Sequence, residues 1–403
     1  MKKKLLLFIA AFFALSGNLS AANYTISVPN FTGYKGSDAT MAIELTNDAV
    51  LAGAQFDMTL PDGVTFTGYE LTDRTTGMTL GSDNGRYILF SMPDQGVKHT
   101  IAAGNGTIMN FKLNIAETVV PGDYTITFED VRISGENNEP VSSTIASATL
   151  TVKEMATVTL DEESTTVPTA TTEPVIAKVK RSIKAGQWST ICLPFAMTSD
   201  QLTEAFGDGV ALAEFTDYQV EDNNYSDASG ITLQFTKLAE TAGTVANNPY
   251  LIKVTNDITY DEGFTVKNVT LDPRNNARVS ITKEDDDLNA YTIHFFAYLI
   301  KSKLPKNSFF ISESKFYKVT TSDKYIKGFR AGFRLTNINP AFAKPMSIDI
   351  DGETTGIFEV KANERTLTDG VYTINGQYVG KNVDSNTLPK GVYIINGQKK
   401  IVK

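Results

Sequence analysis

The chain has 403 residues, 41% of them hydrophobic and 21% charged, with 46 Asp and Glu against 37 Lys and Arg for a formal net charge of -9. That composition excludes wholesale disorder and a polytopic membrane protein, and the length suits two or three domains. After the first four residues no stripe of Lys and Arg occurs, so nucleic acid and anionic membrane surfaces are poor candidate partners.

Residues 1–22 read as a signal peptide. Lys2 to Lys4 supply the charged region, Leu5 to Leu15 a short apolar region, and Ser20, Ala21 and Ala22 a peptidase site. No Cys follows to take a lipid anchor, and no later run reaches the roughly 18 apolar residues of a spanning helix. The mature chain is expected at the cell surface or outside the cell, with the periplasm as the alternative.

From residue 23 to 153 short alternating runs are separated by turn residues, and they predict strands at Tyr24 to Val28, Met41 to Leu45, Gln55 to Leu60 and Arg86 to Phe90. Further strands are predicted at Ile108 to Leu113, Tyr124 to Phe128 and Ala148 to Val152. Asn84-Gly85 and Asn105-Gly106 both read as turns, because each residue type tolerates positive φ. Many short strands without a helical period predict an all-β sandwich. Phe56, Met58 and Leu60 alternate inward, as do Tyr124, Ile126 and Phe128. That leaves Gln55, Asp57, Thr59, Thr125 and Thr127 on the outer face as candidate binding residues.

Residues 154–175, with Asp161-Glu162-Glu163 followed by Thr and Pro, read as a linker. A second β-rich, sandwich-like domain is expected over 176–352. It should carry one short helix at 199 to 206, with Thr198 and Gln201 at capping-box spacing and Gly207 at its end. Residues 353–403 read as a small β-hairpin module, since Gly370-Val371-Tyr372-Thr373-Ile374-Asn375-Gly376-Gln377 returns as Gly391-Val392-Tyr393-Ile394-Ile395-Asn396-Gly397-Gln398.

No catalytic or metal-binding set emerges, and no cofactor is expected. His99 and His294 are the only histidines and fall in different predicted domains, which removes the convergence that triads, dyads and zinc sites need. The lone Cys192 lies in an apolar β-rich run and reads as a small buried hydrophobe. Asp222 to Asp227 starts like a calcium loop but has Asp227 where Gly is required and Leu233 where Glu is required. The aromatics alternate with polar residues, which fits sandwich core; a sugar-stacking surface is the competing reading.

Three stretches, Ala52 to Leu60, Gly106 to Leu113, and Pro121 to Phe128 with Val131, resemble the cohesin family. This resemblance implies a jelly-roll-type sandwich that binds a dockerin-like protein partner. The chain end, with Gly370-Val371-Tyr372, Asn375-Gly376-Gln377, Leu388 to Tyr393 and Lys399-Lys400-Ile401-Val402-Lys403, resembles the C-terminal sorting domain of the Por, or type IX, secretion system, although the usual Pro-Asn-Pro opening is absent. The run Gly186 to Phe195 is similar to segments of uncharacterised bacterial surface proteins. The expectation is a secreted or surface-displayed, non-catalytic binding protein, with polysaccharide capture or a structural, adhesin-type role as alternatives.

Overall fold

The computed structural model describes residues 24–92, 97–137, 140–141, 143–221, 225, 230–312, 315–321, 323–338, 346–358, 371–373, 378–380, 388–395 and 398–402. Residues 1–22, read above as a signal peptide, lie outside them, as do Asp222 to Asn224 and Ser226 to Asp227. The chain divides into two compact units, Met1–Met155 and Ala156–Lys403.

The first unit contains β1 (Thr25–Ser27), β2 (Phe31–Tyr34), β3 (Ser37–Asn47), β4 (Leu51–Thr59), β5 (Val64–Leu71) and β6 (Thr79–Asp83). It continues with β7 (Arg86–Phe90), β8 (Gly104–Ile115), β9 (Gly122–Gly135), β10 (Pro140–Val141) and β11 (Ala148–Lys153). They form a sandwich. One sheet has the order β1-β3-β8-β5 and the other β2-β11-β9-β4-β7-β6, with β10 added to β9. Alternation selects what is buried: Met41, Ile43 and Leu45 from β3 meet Phe56 of β4, Phe111 and Leu113 of β8, Ile126 of β9 and Leu150 of β11 in one core. Asn84 and Gly85 adopt φ of 47° and 82° and turn β6 into β7, as expected. Asn105 and Gly106 instead lie within β8, paired with Thr46 and Leu45, so this dipeptide does not turn the chain. An irregularity in the β3 and β8 register follows it, and Gly106 serves the strand with a φ of 131° that an L side chain avoids.

The second unit opens with β12 (Thr157–Asp161), which pairs parallel with β13 (Val175–Lys180); β18 (Phe264–Val269) completes a three-stranded sheet. The linker reading of 154–175 is therefore corrected. Thr157 to Asp161 are a strand, Glu162 is fully buried, and the Thr171 backbone N–H donates to the Leu271 carbonyl at 2.9 Å. The helix α1 (Ser199–Phe206) stands where expected, with the Gln201 N–H donating to Thr198 Oγ1 and the Thr198 N–H to Gln201 Oε1. It buries Leu202 and Phe206.

Next to this lies a sandwich of two sheets. One has the order β14-β17-β15-β16-β26-β27, made of β14 (Ser189–Ile191), β15 (Ala211–Val220), β16 (Ile231–Lys237), β17 (Tyr250–Lys253), β26 (Met346–Ile350) and β27 (Glu353–Phe358). The other has the order β19-β20-β25-β22-β23, made of β19 (Arg278–Glu284), β20 (Ala290–Tyr298), β22 (Phe309–Ser312), β23 (Lys315–Lys318) and β25 (Arg330–Thr336). Trp188, Phe215, Phe235, Phe295, Phe333 and Ile348 belong to their shared core, where the Phe295 and Phe333 rings stack at 4.5 Å. β21 (Ser302–Lys303) and β24 (Tyr325–Ile326) form a two-stranded sheet of their own, falling in sequence between β20 and β25. Cys192 is buried, and burial raises its thiol pKa, which removes thiolate reactivity.

Setting the last module's start at 353 is also corrected, because β27 pairs antiparallel with β26 and extends the six-stranded sheet to Phe358. The repeat forms a separate sheet of order β29-β28-β30-β31, from β28 (Val371–Thr373), β29 (Tyr378–Gly380), β30 (Gly391–Ile395) and β31 (Gln398–Val402). Ile395 pairs with Gln398, as a two-residue hairpin requires; both Asn-Gly pairs lie outside the described residues. Among the described residues no helix is long and apolar enough to cross a membrane.

Candidate binding face of the first unit

β4 lies between β9 and β7 in the larger sheet. Its inward residue Phe56 is 1% exposed, with its ring 5.7 Å from Tyr87 and 6.0 Å from Phe111. Strand alternation then sends Asp57 and Thr59 to the outer side. Thr59 is exposed and pairs with exposed Thr127 of β9; Thr125, also exposed, pairs with Thr149 of β11. These three form a row of hydroxyls on the outer face.

Gln55 departs from expectation, being only 2% exposed. It points outward yet is covered, and its Nε2 donates to Asp130 Oδ2 at 3.0 Å. It is a buttress rather than a contact residue. Alternation along β4 correctly sets its direction but carries no information about what lies over it.

Asp57 is the acceptor of a two-pronged clamp, with Arg86 Nε donating to Oδ1 at 2.7 Å and an Arg86 terminal nitrogen to Oδ2 at 2.8 Å. The same Arg86 nitrogen donates to Asp130 Oδ2 at 2.8 Å, and Arg132 Nε donates to Asp130 Oδ1 at 2.8 Å. A neutral chain of alternating charges thus runs Asp57, Arg86, Asp130, Arg132. A bulge creates it. Gln55 pairs with Arg132 and Asp57 with Glu129, so Asp130 and Val131 together face Phe56 alone, and Asp130 takes a φ of 48°. The extra residue swings the Asp130 carboxylate over Gln55 and Arg86.

Sequence reasoning missed Arg86, Asp130 and Arg132. Arg86 was within reach, since it adjoins the Asn84-Gly85 turn one position before inward Tyr87. Asp130 was not, because a bulge breaks the alternation that locates outward residues.

Hydrogen bonds from Arg86 hold the Asp57 carboxyl below the usual carboxylate range, against an opposing effect of burial, and the same bonds raise the Arg86 guanidinium. Both stay charged at neutral pH. The face therefore presents fixed donors and acceptors, which suits recognition of a complementary polar surface. Among the described residues of this unit the exposed aromatic is Tyr69, on β5 of the other sheet.

The second unit carries a depression of about 680 Å³ lined by Ile183, Lys184, Trp188, Tyr260 and Arg330, among others. Trp188 is 9% exposed and belongs mainly to the core. His99 and His294 fall in different units. Among the described residues no group of three or more His, Cys, Asp or Glu is arranged to hold a metal ion.

No family model and no curated protein matches the chain. Solved structures with similarity to part of it include cohesins. The seventh type I cohesin of a scaffoldin from Pseudobacteroides cellulosolvens is 16% identical, with 33% of this chain and 94% of that one covered and a TM-score of 0.29. A cohesin from Clostridium acetobutylicum is 14% identical, covering 32% and 91%, with a TM-score of 0.28. A non-cellulosomal cohesin from Archaeoglobus fulgidus is 12% identical, covering 33% and 93%, with a TM-score of 0.28.

Proposed function

We propose that the chain is a secreted or cell-surface, non-catalytic binding protein whose first unit engages an extracellular protein partner through the outer face of the larger sheet. The observation that carries this reading is the pre-ordered chain Asp57, Arg86, Asp130 and Arg132 beside the row Thr59, Thr127 and Thr125. Polar groups already fixed in place lose little freedom on binding and discriminate partners by charge register. The cohesin resemblance of Ala52 to Leu60 and Pro121 to Phe128 supplies the partner class, a dockerin-like module. The terminal repeat serves delivery to the surface, consistent with its resemblance to sorting domains.

Pull-down of secreted proteins with the full mature chain tests the binding role. The Thr59→Arg and Thr127→Arg variants change exposed positions that leave the core untouched. The expected outcome is capture of a protein by the native chain, at least tenfold weaker capture by either variant, and unchanged melting temperatures. Equal capture by both variants, or binding only to a glycan array, would refute the assignment of this face.

A further inference from the structure

The outer face of the five-stranded sheet in the second unit carries Arg278 and Arg334, with Lys306 beside them, in a chain of net charge -9. Register places Arg278 of β19 opposite Phe296 of β20, and His294 of β20 opposite Arg334 of β25. The two guanidiniums approach the Phe296 ring from the strands on either side, at 5.4 Å for Arg278 and 4.0 Å for Arg334. Beside them is a depression of about 460 Å³, lined by His294, Lys306, Asn307, Ser308, Arg334 and Thr336, among others. Its lining contains no carboxylate.

Among the described residues Arg86, Arg132, Arg274 and Arg330 each pair with Asp or Glu, while Arg74 and Arg181 spend their donors on backbone carbonyls. Arg278 and Arg334 show neither arrangement among the described residues. Arg334 donates one hydrogen bond, to the Tyr298 hydroxyl at 3.1 Å, and its Nε, like those of Arg181 and Arg330, is buried without a partner among the described residues. A buried charged donor left unmatched is costly unless something else satisfies it. His294 is held in place by Ser280 Oγ at 2.7 Å from Nδ1 and by Thr336 Oγ1 at 3.2 Å from Nε2.

We infer that Arg278, His294, Lys306 and Arg334 form a binding site for a single oxyanion group, a sulfate, phosphate or carboxylate borne by an extracellular ligand. The planar guanidiniums supply forked donors, Lys306 on the rim adds a mobile point charge, and Asn307 and Thr336 complete the polar wall. His294 makes the site responsive to acidity. Burial and the two neighbouring guanidiniums hold its pKa below the ordinary histidine value, so the empty site carries a neutral imidazole at pH 7. The charged groups acting on it are Arg278 from β19 and Arg334 from β25, and Lys306, from the loop before β22, lines the same depression. A bound anion offsets those cations and raises the His294 pKa, so by linkage binding tightens as pH falls.

The test is a titration of the full mature chain with sodium sulfate at constant ionic strength, following both histidines by NMR. Sulfate keeps its charge across the range, so any pH dependence belongs to the protein. The expected result is a saturable shift of His294 with His99 unmoved, and affinity about tenfold higher at pH 5.5 than at pH 7.5. The exposed-site variants Arg278→Gln and Lys306→Gln should each weaken binding at least threefold, and Arg334→Gln should abolish it. Parallel titrations with inorganic phosphate and glucuronate identify which oxyanion is preferred. The inference is overturned if none of the three gives saturable binding, or if Arg278→Gln and Lys306→Gln bind sulfate as the native chain does.

Discussion

Glu162 is a fully buried carboxylate that accepts hydrogen bonds from Lys327 Nζ at 3.0 Å and from a terminal nitrogen of Arg330 at 2.7 Å. Its neighbour Glu163 meets Lys301 and Lys327, both at 2.7 Å. Arg330 and Lys327 keep partial access to solvent, so Glu162→Gln should destabilise the second unit by roughly 1–3 kcal/mol, the cost of charged donors left short of an acceptor, measured by denaturant unfolding. Hydrogen bonds from Lys301 and Lys327 lower the Glu163 pKa to about 2. Because the folded value lies below the unfolded one, its stabilisation is complete above the ordinary carboxylate range and is lost as pH falls toward 2. Melting temperature of the second unit should therefore drop between pH 4.5 and 2, and less steeply in Glu163→Gln. None of this was legible in Asp161-Glu162-Glu163, whose Thr- and Pro-rich surroundings resemble a solvated tether. The partners that bury these acids stand more than a hundred residues away.

At the scale of elements, periodicity located the strands that alternate cleanly, including β3, β8 and β11, and capping chemistry located α1. It failed where a strand is irregular or very short. β2, β5 and β6 went unread, and Asn105-Gly106 was misplaced because a glycine in a bulged strand and a glycine in a turn share the same need for positive φ. The outer face was half legible: alternation gave Thr59, Thr125 and Thr127, while the bulge at Asp130 hid the charge chain. Gly53 tests the packing of these strands. A Cβ there would stand 2.4 Å from the Leu89 carbonyl oxygen, which belongs to the rigid neighbouring strand β7. Gly53→Ala should cost roughly 1–3 kcal/mol in the first unit, read as a lowered melting temperature.

For the whole molecule, each unit has a core of its own, and calorimetry should resolve two unfolding transitions rather than one. Only the first should shift in Gly53→Ala and only the second in Glu162→Gln. Composition alone placed the change between units near residue 154, yet read the following twenty residues as linker. Strand β12 is too short to announce itself, and it exists because β13 offers it an edge. Deleting residues 359–403 should leave both transitions in place, since β27 ends at Phe358; if surface delivery is lost at the same time, as cell fractionation would reveal, the sorting role stands.

The parallel pairing of β16 with β26 also dictates when the second unit can fold. Ile231 faces Met346 and Phe235 faces Ile350, with more than a hundred residues of chain closing between them. Thr190 likewise exchanges hydrogen bonds with the backbone of Ala331. Such non-local closure is slow, in the millisecond-to-second regime of β-rich topologies. A chain emerging from its N-terminus can finish the first sandwich by residue 155, but must hold Leu233 and Phe235 on an unpaired edge until Met346 to Ile350 arrive. A nascent chain interrupted before that strand would carry a ready template for association with its own kind.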